Sequence, residues 1–122
     1  MKTSSRKSKG RKLQQIVAKE LAELYNVEAG NFVSRPMGSN GKDLIVSPQI
    51  KTISKLGKEF SIECKNKESC NLRKEYEDHA AKYPGDNELN ILVHKKNNAQ
   101  PLVVLSLKDF KFLLKKIYDS TG

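Results

Sequence analysis

Gly38-Ser39-Asn40-Gly41-Lys42-Asp43-Leu44-Ile45-Val46-Ser47 and, after eleven intervening residues, Glu59-Phe60-Ser61-Ile62-Glu63-Cys64-Lys65 are the two segments around which the chain reads most coherently. Asp43 opens a short apolar run, Leu44 to Val46, which suits a buried strand entered through a Gly-Ser-Asn-Gly turn. The second segment alternates. Phe60, Ile62 and Cys64 point to one face of a strand, and Ser61, Glu63 and Lys65 to the other. If strands 43–47 and 59–65 pair as a hairpin, Asp43 arrives at the same end of the sheet as Glu63.

Two carboxylates brought together repel unless a divalent cation lies between them, and all-oxygen donors suit Mg²⁺ or Mn²⁺. A lysine on the same strand face can orient or deprotonate an attacking water and offset charge developing on a phosphate. In outline, Asp43, Glu63 and Lys65 make a phosphodiester-cleaving site.

The size and balance of the chain agree with such a role. Its 122 residues suit one domain, and 37% hydrophobic with 30% charged residues suit a soluble globular protein. No apolar run is long enough to span a bilayer, and the N-terminus lacks the apolar core of a secretion signal, so a cytoplasmic location with no membrane partner is expected. The two cysteines, Cys64 and Cys70, have no zinc spacing and are expected to stay reduced. A formal charge of +9 favours a polyanionic partner, nucleic acid before membrane. That charge is clustered: residues 1–12 carry Lys2, Arg6, Lys7, Lys9, Arg11 and Lys12 with no acid, and residues 51–58 carry Lys51, Lys55 and Lys58 with none. Lys7, Lys9, Arg11, Lys12, Arg35, Lys42, Lys51 and Lys55 are therefore candidate nucleic-acid contacts. The plain alternative is that these lysines serve solubility.

Along the chain, residues 1–8 read as a flexible basic arm and 9–122 as the folded domain. A helix is expected from about Lys12 to Tyr25, burying Leu13, Ile16, Val17, Leu21 and Leu24. A strand at Asn31–Arg35 ends at Pro36. Residues 48–58 read as a basic loop, either a plain solvated connection or a phosphate-contacting flap. A helix over 70–83 places Leu72, Tyr76, His79, Ala80 and Tyr83 on one face, with Pro84-Gly85 as its stop. Leu89–Val93 and Leu102–Leu105 read as strands. The last helix starts at Ser106 with Asp109 in a capping box and buries Leu107, Phe110, Leu113, Leu114 and Ile117. His94 receives no role. The order α-β-β-β-α-β-β-α gives an α/β fold, a mixed central sheet flanked by helices.

Asp43, a gap, and then Glu63-Cys64-Lys65 resemble the signature of the PD-(D/E)xK nuclease superfamily, most closely its small Holliday-junction-resolvase-like members of phage and archaeal type. Lys9-Gly10-Arg11 opening the first helix, Gly38-Ser39 before the Asp, and Ile62-Glu63-Cys64-Lys65-Asn66 carry the same resemblance in the same order. Lys42 stands where the family name has proline. The resemblance implies a restriction-endonuclease-like core and a Mg²⁺-dependent endonuclease, with Mn²⁺ able to substitute, that acts as a homodimer on branched DNA such as Holliday junctions. It implies metal binding by Asp43, Glu63 and the Cys64 carbonyl, water positioning by Lys65, and a phosphate contact by Ser39. Related nucleases often carry Glu or Gln four residues after the Lys-Gly pair, which puts Gln14 forward as a further catalytic residue. Glu20 competes with it as a third acid, against a reading as a carboxylate at the edge of the core. His79 stands where relatives often have Gln before an Ala, against a reading as a satisfied core histidine. An end-, flap- or duplex-cutting nuclease, or a non-catalytic nucleic-acid-binding module on this fold, are the competing functions. A binding module has no reason to keep two unpaired acids facing DNA.

Overall fold

The computed structural model describes residues 3–36 and 40–120. Residues 1, 2, Gly38 and Ser39 lie outside them, and with them the expected phosphate contact of Ser39. The fold is mixed α/β. Helix α1 spans Thr3–Tyr25, β1 Phe32–Ser34, β2 Leu44–Val46, and α2 Ile50–Ile53. Then come β3 Glu59–Asn66, α3 Leu72–Lys82, β4 Glu88–Lys95, β5 Leu102–Val104 and α4 Leu107–Ser120. Among the described residues no helix is long and apolar enough to cross a membrane.

Helix α1 begins well before the expected Lys12 and takes in most of the segment read as an arm. Lysine and arginine are good helix formers, serine and threonine are intermediate, and Gly10 is the poorest of the run. Its end is a Schellman cap. Asn26 takes a left-handed φ of 53°, its N–H donates to Glu23 O, and the Val27 N–H donates to Ala22 O.

The buried face of α1 is also rotated from the expected stripe. Leu13, Gln14, Val17, Ala18 and Ala22 are buried, whereas Ile16 is 43% and Leu24 70% exposed. The small side chains of Ala18 and Ala22 bring the helix close to the sheets, and that contact turns Leu24 to solvent. Tyr25 closes the end of this layer against the rings of Phe32 and Phe60.

The strands form two sheets rather than one central sheet. β1 and β2 pair antiparallel, with Val33 opposite Ile45. β3 pairs parallel with β4, Ile62 opposite Ile91, and β4 pairs antiparallel with β5, so this three-stranded sheet is mixed. The connection from β3 to β4 runs through α3, as a parallel pair requires. Helix α3 starts at Asn71, whose side chain accepts the Lys74 N–H. Phe60, Ile62 and Cys64 join Leu13, Val17, Phe32, Leu44, Leu89 and Val93 in the core. The other face of β3 is covered as well, since Ser61 is fully buried and hydrogen-bonds Glu88.

Two further expectations are corrected. Residues 48–58 contain α2, which seats Ile50 in the core with no exposure at all. The apolar stripe of α4 is largely uncovered: Leu107, Phe110, Leu114 and Ile117 are all about half exposed or more, and only Leu113 packs against the core. Ser106 caps α4 as expected, accepting the Asp109 N–H at 3.0 Å.

Candidate functional site

Asp43, Glu63 and Lys65 converge, but not through the hairpin expected from the sequence. β2 pairs with β1, and Asp43, one residue before β2, reaches β3 with its side chain. Its Oδ2 accepts the Cys64 N–H at 2.7 Å. This amide lies on the edge of β3 away from β4, where a neighbouring strand would otherwise take it. A side chain here replaces a rung of backbone pairing, and it sets the Asp43 carboxylate beside Glu63.

The turn that delivers Asp43 is held by Arg35. Its Nε donates to Lys42 O at 2.5 Å, and the Arg35 N–H donates to Asp43 O. Gly41, with φ +125°, lies against that guanidinium, and a Cβ there would stand 2.7 Å from Arg35 Cζ. The left-handed φ favours glycine here, and a Cβ would in addition displace the Arg35 guanidinium that holds the turn. Lys42 is likewise engaged in the fold, 3.0 Å from Glu88 Oε2 and over the ring of Tyr83.

Lys65 projects from the same strand face as Glu63, its Nζ 3.6 Å from Glu63 Oε1 and 3.7 Å from Glu75 Oε2. Glu75 comes from α3, and His79 follows it four residues later on the same helical face. His79 is buried; its Nε2 faces the carbonyl oxygen of Ser61 at 2.7 Å, and its Nδ1 lies 3.4 Å from Glu63 Oε2. A carbonyl oxygen only accepts, so Nε2 carries a hydrogen. Nδ1 is buried without a hydrogen-bond partner among the described residues and faces the Glu63 carboxylate. His79 is packed in the core, but it is not the satisfied histidine expected there, because Nδ1 has no hydrogen-bond partner and faces Glu63 instead. Glu75 is a site residue that sequence reasoning missed; its spacing from His79 was the available signal.

The electrostatics separate the two acids. Burial pushes the Asp43 carboxyl up to about 6, with neighbouring Glu63 adding to the rise and the Cys64 N–H opposing it. Burial also pushes Glu63 upward, but the His79 contact and the Lys65 charge outweigh it, and its pKa lies below the ordinary range. One acid thus favours the proton and the other the charge, as adjacent carboxylates do. The thiol of Cys64 is raised strongly by burial and by both acids, which makes it a packing group, and both cysteines are free.

The donor set suits a hard cation. Among the described residues no group of three His, Cys, Asp or Glu side chains could hold a metal on its own. Two carboxylates with backbone oxygen and water are nevertheless what Mg²⁺ accepts, because it keeps much of its hydration.

The remaining candidates divide. Gln14 is buried, and its Oε1 accepts from Ser34 Oγ at 2.6 Å, which ties α1 to β1. Glu20 is exposed, in keeping with a carboxylate at the edge of the core. Lys51 pairs with Glu59 at 3.5 Å, and Lys55 is exposed at a left-handed turn with φ 64°. Lys7, Arg11 and Lys12 are exposed along α1, and Lys9 is half-buried. His94 hydrogen-bonds Lys67 O. In comparisons with known proteins, no family model, curated protein or solved structure matches the chain.

Proposed function

We propose that the chain is a metal-dependent endodeoxyribonuclease of the PD-(D/E)xK kind, with a restriction-endonuclease-like core, acting in the cytoplasm as a homodimer on branched DNA. The observation that carries this reading is the Asp43–Cys64 hydrogen bond. It is the contact that turns an Asp and a distant Glu-x-Lys into one constellation. The surface charge of +9 supplies the attraction for DNA.

Asp43, Glu63 and the Cys64 backbone carbonyl would hold Mg²⁺, or Mn²⁺ in its place. When bound, such an ion supplies Lewis-acid polarisation of the scissile phosphate. Lys65 directs the attacking water with its ammonium donors and offsets charge building on the phosphate oxygens. The water oxygen bonds to phosphorus as the bond to the leaving oxygen breaks, the water's proton passes to solvent, and the leaving oxygen takes a proton from solvent. Glu75 holds Lys65 from the far side. His79 sets the rotamer of Glu63. The homodimer rests on the uncovered apolar stripe of α4; Leu102 and Val103 of the edge strand β5 are also exposed, each 59%.

Incubating the parent protein with linear duplex, flap and four-way-junction DNA across a Mg²⁺ titration tests the reading. The expected result is metal-dependent cutting, fastest on the junction. A parent protein that cuts none of these with Mg²⁺ or Mn²⁺ sinks it.

A further inference from the structure

Beside Lys65 a cavity of about 500 Å³ opens between α1 and the segment that follows β3, lined by Lys9, Gly10, Lys65, Lys67, Glu68 and Asn97 among others. Its volume falls within the roughly 300–1,000 Å³ of typical ligand clefts. We infer that this groove takes the phosphodiester backbone of a nucleic-acid strand running into the Asp43–Glu63–Lys65 site, and that Gly10 is the residue that leaves it open. The inference rests on the nuclease reading for the direction of the strand, but not for the groove's affinity.

The cationic donors are the first argument. Lys9, Lys65 and Lys67 bring three ammonium groups to the groove, set against Glu68 of the lining and against Glu63 and Glu75, which ion-pair Lys65 and Lys67, so the groove offers phosphate donors rather than a net charge. Glu68 Oε1 accepts the Asn97 N–H at 3.1 Å, which orients that carboxylate without neutralising it. Lys67 is held by Glu75 at 3.3 Å, the same carboxylate that holds Lys65, so the two ammonium groups are spaced by a shared acid on α3.

The second argument is rigidity. The Lys67 N–H donates to Lys95 O and its carbonyl receives His94 Nε2, so the backbone beneath this side chain is fixed on β4 from both sides. The Glu68–Asn97 bond ties the same wall to the β4–β5 turn. These are cations mounted on a braced wall, not lysines on a loose loop, and pre-organisation of that kind lowers the cost of binding.

Gly10 is the third. It sits inside α1, where glycine is a poor helix former. A Cβ built at Gly10 meets no atom within 4 Å, so packing does not demand glycine there. What a side chain at this position would fill is the groove. The lining contains no aromatic ring, hence no platform on which bases stack. Lysine and amide groups contact phosphate and sugar, which makes the groove indifferent to base sequence.

The experiment is fluorescence anisotropy of labelled single-stranded and four-way-junction DNA, with EDTA present to prevent cutting, on the parent, Gly10→Met and Lys67→Ala, with urea unfolding of each. Gly10→Met should hold or raise the urea midpoint, because methionine is the better helix former, while its Kd rises about tenfold or more. Lys67→Ala should flatten the log–log salt slope by about 1. Gly10→Met binding within twofold of the parent overturns the inference. If that variant instead loses stability, the Lys67→Ala slope decides, and an unchanged slope overturns it. A parent that binds DNA but never cuts it, with Gly10→Met weakened, keeps the groove and removes the nuclease. A parent that cuts, with Gly10→Met binding normally, does the reverse.

Discussion

The Asp43 carboxylate accepts the Cys64 N–H across a gap where no backbone ladder joins their strands. It therefore does two jobs. It satisfies an edge amide of β3, and it fixes its own position beside Glu63. The second is costly, since Asp43 is pushed up to about 6, first by burial. A folded-state pKa above the ordinary value of about 3.9 means that the fold favours the protonated acid.

The sign of the pH dependence follows. With respect to Asp43, the metal-free protein is most stable below about pH 4 and loses that stability as pH rises to about 6. Asp43→Asn keeps an oxygen acceptor for the Cys64 N–H and carries no charge at any pH. In EDTA it should match the parent near pH 4 and exceed it at pH 7.5, by about 1 kcal/mol because Asp43 keeps some contact with solvent. Mg²⁺ should reverse the ranking: at 100 times its Kd it adds about 2.7 kcal/mol to the parent and less to the variant. Urea midpoints at the two pH values, with and without Mg²⁺, check both signs; a gap that does not change with pH refutes the account.

The facing of β3 is tested at Ile62, which is 1% exposed in the core shared with α1. Ile62→Ala should cost about 2–5 kcal/mol by lost transfer and cavity terms. Equal stability in urea would mean that Ile62 does not face the core, and the facing of Glu63 would fall with it.

Much of this arrangement is legible in the chain. Alternation at Phe60, Ile62 and Cys64 gives β3 and its polar face, because a strand has only two faces and one needs apolar residues. The meeting of Asp43 with β3 is legible too, but its route is not: a side-chain bond to an edge amide has no periodicity to reveal it. Helix α4 shows the converse limit. Spacing at Leu107, Phe110, Leu114 and Ile117 shows that one face is apolar, and nothing in spacing says what covers it. Glu75 lies four residues before His79, a spacing visible in the chain, but its link to Lys65 is made in three dimensions, from α3 to β3.

The α4 face yields the next expectation. Phe110 and Leu114 are 50% and 49% exposed, so charging them should leave the folded chain intact. If a second copy covers them, the parent should run at twice the chain mass in light scattering, and Phe110→Glu with Leu114→Glu should run at the chain mass with unchanged circular dichroism. A parent that is already monomeric at working concentration removes the homodimer.

The last expectation separates an enzyme from a binding module, and it turns on charge. If the nuclease reading holds, Glu63→Gln removes a negative charge from the face that would meet phosphate and takes away one of the metal's ligands. Cleavage should stop, while binding in EDTA holds or tightens. Lys65→Ala also stops cleavage, but it removes a cation that lies 3.6 Å from Glu63 and 3.7 Å from Glu75. It therefore uncovers Glu63, while Glu75 keeps Lys67 at 3.3 Å, and binding should weaken, the opposite sign from Glu63→Gln. His79→Ala leaves both charges at the strand face in place but releases Glu63 from the contact at 3.4 Å. It should need more Mg²⁺ for half-maximal cutting rather than bind DNA differently. A binding module would reproduce the affinity shifts of the first two and show no cleavage to lose. Glu63→Gln cutting as fast as the parent would end the nuclease reading, whatever the binding data show.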